Sequence, residues 1–262
     1  MNLDLQGKHA LVCGSTQGIG KAVAMELARM ECNVTLVARS ENVLQQVIKE
    51  LDTFQGQKHD YICADYTKPA ELKEKVEKHI QSKNIFHILV NNTGGPPAGP
   101  VLTAKADEFF QAFSNHLICN HILVQACVEG MKQSNYGRIV NIISTSVKAP
   151  LKGLGVSNTV RAAVANWSKT LAGEVARYGI TVNNVLPGAT ITGRLTAIID
   201  DKARKSGKTF NDVTREMLAE IPSGRFAEPE EVANAIAFLC SPAGGYINGI
   251  NLPVDGGRTL CL

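Results

Sequence analysis

At 262 residues, 44% of them hydrophobic, the chain is long enough to bury a substantial core in one domain without disulfides or a metal site. A formal net charge of +3, with bases and acids interspersed, gives no footing for a nucleic-acid partner. Seven cysteines, an odd number with no Cys-x-x-Cys pair, read as reduced thiols packing as small hydrophobes. There is no leader-like N-terminus and no apolar run of bilayer length, so the expectation is a soluble, cytoplasmic protein with no membrane partner.

In chain order, His9 to Cys13 is an apolar strand, and Ile19, Val23, Leu27 and Met30 then repeat at helical spacing. Val34 to Ala38 is a second strand, ending at Arg39. From about Glu41 a helix follows with the stripe Val43, Leu44, Val47, Ile48 and Leu51. Tyr61 to Ala64 is a third strand, Ala70 to about Gln81 a charged helix, and Ile85 to Val90 a fourth strand closing at Asn91-Asn92-Thr93-Gly94-Gly95. A long helical region runs from about Lys105 to Gln133 with one break. Strands Arg138 to Ile143 and Ile180 to Leu186 flank a helix from about Gly155 to Tyr178. A helix from about Glu228 to Cys240 precedes the strand Ile250 to Val254. Seven strands alternating with helices predict a single doubly wound α/β domain, a parallel sheet covered on both faces. Thr190 to Gly224 fits this pattern poorly; being polar, charged and long, it reads as an excursion over the sheet's C-terminal edge, where such folds bind ligands.

The stretch Gly14-Ser15-Thr16-Gln17-Gly18-Ile19-Gly20 joins the first strand to the first helix through a turn almost without side chains. Free N–H groups and the positive end of the helix dipole meet there, which suits a pyrophosphate. Without Cβ atoms at Gly14, Gly18 and Gly20 the chain can turn sharply and let a ligand approach the backbone.

With these residues in place the chain resembles the short-chain dehydrogenase/reductase family, and the resemblance covers nearly all of it. The Gly-x-x-x-Gly-x-Gly spacing at Gly14, Gly18 and Gly20 is that family's, and Asn91-Asn92-Thr93-Gly94 is similar to its Asn-Asn-Ala-Gly motif. Asp65 lies where the family places an acid against adenine, and Pro187-Gly188 followed by Thr192 fits the segment that reaches the nicotinamide carboxamide. Gly224-Arg225-Phe226, Glu230-Glu231-Val232-Ala233 and Val254-Asp255-Gly256-Gly257 resemble the β-ketoacyl-carrier-protein reductase branch. The resemblance implies a Rossmann fold, a nicotinamide dinucleotide, a small carbonyl or alcohol substrate, and a homo-oligomer, dimer or tetramer. The second strand ends without an acid to hold an adenosine ribose 2′-OH and carries Arg39 instead, so NADP(H) is expected ahead of NAD(H).

At the catalytic positions the chain departs from the family's Ser, Tyr and Lys. Ser144 occupies the serine position, but the Tyr-x-x-x-Lys has become Ser157-Asn158-Thr159-Val160-Arg161. None of the five tyrosines (Tyr61, Tyr66, Tyr136, Tyr178 and Tyr246) falls in that segment, and His116 stands at the position of the family's relay Asn. Residues four apart share a helix face, so Ser157 and Arg161 are expected to project together. An aliphatic hydroxyl is far less acidic than a phenol; Arg161 stays charged and is expected to hydrogen-bond the coenzyme's ribose, as the resemblance implies for that position, but a guanidinium does not release its proton. Three readings follow: lost chemistry on a retained scaffold, His116 as a replacement acid, or a substrate that carries its own acid or needs none. Lys148 and Lys152 border the same cleft and could draw an anionic substrate; Gly94 to Pro100 would form its wall. The expected function is an NADP(H)-dependent oxidoreductase with an altered catalytic set. The alternative is a catalytically impaired NADP(H)-binding regulatory or scaffold protein.

Overall fold

The computed structural model describes residues 1–83 and 85–261. Strands β1 (His9–Cys13), β2 (Asn33–Ala38), β3 (Asp60–Cys63), β4 (Ile88–Asn91), β5 (Gly137–Ile142), β6 (Ile180–Pro187) and β7 (Asn251–Val254) form one parallel sheet in the order β3-β2-β1-β4-β5-β6-β7. The chain winds outward from β1 to β3, then returns to place β4 against the other side of β1. The order therefore reverses between β1 and β4, and a crevice opens beyond their carboxyl ends.

The strands read as nearly continuous apolar runs because both faces are covered. On one face α1 (Gly18–Arg29), α2 (Glu41–Glu50) and α9 (Pro229–Cys240) bury Val23, Leu27, Leu44, Val232 and Ile236 against β1 and β2. On the other, α3 (Pro69–Lys83), α5 (Cys119–Gln133) and α6 (Gly155–Val175) bury Leu72, Leu123, Met131 and Ala172. Cys13, Cys32, Cys119, Cys127 and Cys240 are buried within these layers, all seven cysteines are free thiols, and desolvation raises the Cys13 thiol to about 12.

The break expected between Lys105 and Gln133 is a π-helical turn. α4 (Ala106–Phe113) runs into five π-helical residues, Ser114–Ile118, and on into α5. Thr190 to Gly224 is more ordered than its composition suggests. It holds α7 (Gly193–Ser206) and α8 (Phe210–Ala219), capped by Thr192 and Thr209. Leu195, Ile199, Val213 and Met217 pack against one another and give this segment a small core of its own.

An asparagine ladder crosses the C-terminal half of the sheet. Asn91, Asn141, Asn184 and Asn251 occupy one register row of β4, β5, β6 and β7. Asn91 Nδ2 donates to Asn141 Oδ1 (2.8 Å), Asn141 Nδ2 to Asn184 Oδ1 (3.1 Å), and Asn184 Nδ2 to Asn251 Oδ1 (2.8 Å). Ser168 of α6 joins the row by accepting from Asn141 Nδ2 at 2.9 Å. Buried amides must pair to offset their desolvation, and these pair only in this register, so the ladder pins the ends of β4 and β5 from which the site is built.

Candidate active site

The glycine loop is held by β2. Gly14 N–H donates to the Val37 carbonyl at 2.8 Å, and Val37 N–H donates to Ser15 Oγ at 3.1 Å. Ser15 is thereby buried with its hydroxyl committed to the scaffold, while Thr16, Gln17, Gly18 and Ile19 are only partly buried or exposed. Gly14 and Gly18 adopt φ of +59° and +53°, and a Cβ on Gly20 would stand 2.1 Å from the Gly14 carbonyl oxygen. Side chains are thus excluded at all three glycines by conformation or by space. No side chain caps the N-terminus of α1, so its first N–H groups, which a helix cannot pair internally, are not met by a side-chain acceptor. A diphosphate suits that vacancy of acceptors.

Beyond the loop, Arg39 is exposed directly after β2, close enough to Asp65 after β3 for its charge to act there. The Thr67 N–H donates to Asp65 Oδ1 at 2.9 Å, and this bond, aided by Arg39, holds the Asp65 carboxyl below its ordinary value. Asn91 differs from expectation: it is 1% exposed with its side chain in the asparagine ladder, so it braces the sheet rather than lining the groove. Its neighbour Asn92 reaches the loop instead, donating to the Gly14 carbonyl at 3.3 Å. Gly188 follows β6 and lies against Asp255, where a Cβ would come within 2.7 Å of the Asp255 Cα. Thr192 caps α7, and its methyl faces Gly18 at 3.0 Å from the position a Cβ would take. The loops after β1 and β6 therefore meet across the crevice.

The chemistry-bearing residues gather beyond β4 and β5. Ser144 lies two residues past β5, and its Oγ accepts from Ser146 N–H at 3.1 Å, leaving the hydroxyl proton free to donate. Ser157 and Arg161 are one turn apart on α6; Ser157 is half-buried and Arg161 only 9% exposed. Arg161 Nη1 donates to the Ile142 carbonyl at 2.9 Å, and its Nε is buried without a partner. Burial and the neighbouring Arg194 lower Arg161 to about 10, so it stays charged at neutral pH. His116, carried by the π-helical turn, is 2% exposed. Desolvation, with Arg161 opposing a second positive charge, lowers its imidazole to about 2, although it donates to the Gly94 backbone. The ring expected to serve as a replacement acid is thus neutral across the physiological range. Sequence reading missed Arg194, whose Nη2 donates to the Pro96 carbonyl at 2.9 Å and whose guanidinium lies over Gly95. Its only signal was a base two residues beyond Thr192.

Comparison with known proteins agrees with this architecture. A family profile described as "Enoyl-(Acyl carrier protein) reductase" matches residues 14–259. The chain belongs to the short-chain dehydrogenase/reductase family. It is 34% identical over 259 residues to 3-oxoacyl-(acyl-carrier-protein) reductase FabG of Haemophilus influenzae, covering 98% of this chain and 100% of that protein. A tropinone reductase homolog of Arabidopsis thaliana is 32% identical, covering 98% of this chain and 77% of the relative. Among solved structures, L-sorbose reductase from Gluconobacter frateurii, complexed with NADPH and L-sorbose, superposes with a TM-score of 0.92 at 30% identity over 100% of both chains. YwfH, described as an NADPH-dependent reductase involved in bacilysin biosynthesis, gives 0.92 at 25% identity over 97% of this chain and 99% of that one. Relatives of these kinds are oxidoreductases, and the chain shares their fold from end to end. No helix among the described residues is long and apolar enough to cross a membrane.

Proposed function

We propose that this protein is an NADP(H)-dependent oxidoreductase that interconverts a small carbonyl compound and its alcohol. The observation that carries the reading is the glycine-cleared start of α1, without a side-chain cap, together with exposed Arg39 at the end of the adjacent strand β2, which would supply a cation for the adenosine end. NADPH in the sorbose reductase and YwfH descriptions supports the same cofactor class. Thr16 to Gly20 would hold the diphosphate, Arg39 the 2′-phosphate, Asp65 the adenine edge, and Gly94, Pro187, Gly188 and Thr192 the nicotinamide end. The reduced nicotinamide, when bound, supplies a hydride.

The chain's own residues then orient and polarise. Ser144 donates its free hydroxyl proton to the carbonyl oxygen, and Ser157 assists from the facing helix. Arg161, charged and dehydrated, stabilises negative charge developing on that oxygen. The proton comes from water, because neither Ser157 nor the neutral His116 is a competent acid at pH 7. Alignment alone supplies large rate factors, so slow turnover survives the loss of the phenol. The segment 190–224 covers the substrate. Exposed Phe110 and Ile118, on α4 and the π-helical turn, support assembly as a dimer or tetramer.

The Ser157 and Arg161 replacements favour one second reading, a regulatory protein that binds NADP(H) without turning it over. NADPH oxidation followed by absorbance with ketones, 3-oxo esters and sugars decides between them. Consumption with any of these supports the enzyme; saturable binding with no consumption across the panel supports the regulator.

A further inference from the structure

We infer that Arg258 is a positioning residue for the cleft: paired with Glu220, it straps α7 and α8 down over the substrate and so governs how tightly the substrate is held. The inference deepens the oxidoreductase reading, in which segment 190–224 covers the substrate, and rests on it. Leu195, Ile199, Val213 and Met217 pack α7 and α8 on each other, and neither helix packs extensively on any other helix or strand. The segment leaves and rejoins the fold through one narrow neck. There Ala227 N–H donates to the Ala189 carbonyl at 2.9 Å, and Ile191 N–H to the Ala227 carbonyl at 2.8 Å. A unit with its own core on a narrow neck can pivot as a body unless contacts beyond the neck hold it. Among the described residues, two side-chain hydrogen bonds do so. Arg194 at the start of α7 donates to the Pro96 carbonyl at 2.9 Å, and Arg258 donates to Glu220, the residue that closes α8.

Arg258 belongs to a strap, residues 255–261, that follows β7 and touches three walls of the cleft. At its base Gly188, after β6, lies against Asp255, and Gly188 N–H donates to the Val254 carbonyl at 2.9 Å. Both Asp255 carboxylate oxygens are taken by the strap's own backbone, from Gly257 N–H at 3.0 Å and Thr259 N–H at 2.8 Å, which folds it into a turn. The Gly256 carbonyl accepts from Ser223 N–H at 3.1 Å, just past α8. Gly256 has a φ of +65°, and a Cβ there would meet Ser223 Oγ and, at 2.9 Å, Ile221 Cγ2. Glycine therefore lets the strap lie against 221–223. Farther on, Cys261 Sγ reaches the Lys148 carbonyl at 3.6 Å, on the loop that carries Ser144. The Arg258 side chain is 21% exposed, against 79% for Arg204 in its pair with Asp201, so the strap's ion pair is the more sheltered. Such a pair shifts a local equilibrium a few-fold, and a pivoting cover passes that shift on to substrate affinity. No hydrogen bond or ion pair among the described residues joins Arg258 to the glycine loop, Ser144 or Arg161, so its effect falls on holding the substrate rather than on hydride transfer.

Hydrogen–deuterium exchange read by mass spectrometry tests the strap without needing turnover. Arg258→Glu and Glu220→Arg are each expected to speed exchange across α7 and α8 about threefold while β5 and β6 keep native rates. The double variant, which restores the pair with its charges exchanged, should return to within about 1.5-fold of native, and Arg258→Lys should fall between native and Arg258→Glu. Gly256→Ala, which leaves both charges in place, should speed exchange in the same two helices by lifting the strap. In steady state with NADPH and ethyl acetoacetate, acetoin or L-sorbose, each single charge variant should raise KM about threefold or more and change kcat by less than about twofold. Native exchange rates in α7 and α8 in both single variants overturn the inference. So does a double variant that exchanges as fast as the singles, or a fall in kcat at constant KM. Strap-dependent exchange in a protein that oxidises NADPH with none of the three compounds would sink the reductase reading and leave the strap standing. Oxidation of NADPH with exchange unmoved by the variants would do the reverse.

Discussion

Replacing Asn141 by Ala tests whether the asparagine ladder holds the site in place. The substitution removes the acceptor of Asn91 Nδ2, and because Asn91 Oδ1 is already without a partner, the whole Asn91 amide is left buried and unpaired. An orphaned buried polar group costs about 1–3 kcal/mol. On the other side the loss is smaller, since Ser168 Oγ keeps its bonds to Asn184 Oδ1 (2.8 Å) and to the Val164 carbonyl (2.7 Å). With the void left by the side chain, the sum is about 2–4 kcal/mol. For a domain of this size, about 2–4 °C of melting temperature accompanies each kcal/mol, so a fall of roughly 10 °C is expected. Urea denaturation with an unchanged m-value reads the same quantity. Asn166→Ala, on the exposed face of α6, is the control and should stay within about 0.5 kcal/mol. A loss below about 1 kcal/mol for Asn141→Ala would refute the argument that these amides pin β4 and β5.

The glycine loop, the buried histidine and the altered helix pair each yield a further expectation. Gly20→Ala forces a methyl 2.1 Å from the Gly14 carbonyl oxygen and should lower stability by about 1–3 kcal/mol and abolish coenzyme binding; Gly94→Ala, with nothing within 4 Å, should leave stability unchanged by thermal melting. His116 is held near 2 in the folded state against an unfolded value near 6.5, so the unfolded chain binds the extra proton and stability falls as pH drops below 6.5. That slope is about 1.4 kcal/mol per pH unit, or about 2 kcal/mol lost by pH 5, and denaturation of His116→Asn across pH 5 to 7 should show the loss reduced by that amount. Ser157→Tyr combined with Arg161→Lys restores a phenol beside a cation and should raise kcat by about 10² to 10⁴; no gain in steady-state assays would place the rate limit outside proton transfer.

Much of the fold was legible because it rests on local patterns. The run Ala10 to Cys13 is apolar without alternation, as buried parallel strands tend to be, Ile180, Val182, Val185 and Leu186 marked the sixth strand around its polar Thr181, Asn183 and Asn184, and the glycine spacing marked the loop before α1. The fourth strand shifted from 85–90 to Ile88–Asn91 because pairing with β1 and β5, not composition, sets its register. In 190–224 charge masked two helices, although Leu195 with Ile199 and Val213 with Met217 carried the four-residue spacing after capping threonines. The asparagine ladder was visible only as polar residues inside apolar strands. Ser144, Ser157, Arg161 and His116 were legible as a set, but their state was not: the burial that neutralises His116, the bond that ties Arg161 to Ile142, and the approach of Arg194 all depend on contacts distant in sequence.

The central claim is that a phosphorylated nicotinamide dinucleotide occupies the groove between the glycine loop and Arg39. Paired fluorescence titrations of the native protein with NADPH and NADH test it most directly. Saturable binding of NADPH, at least tenfold tighter than NADH, is the predicted result. Binding of neither dinucleotide would contradict the account.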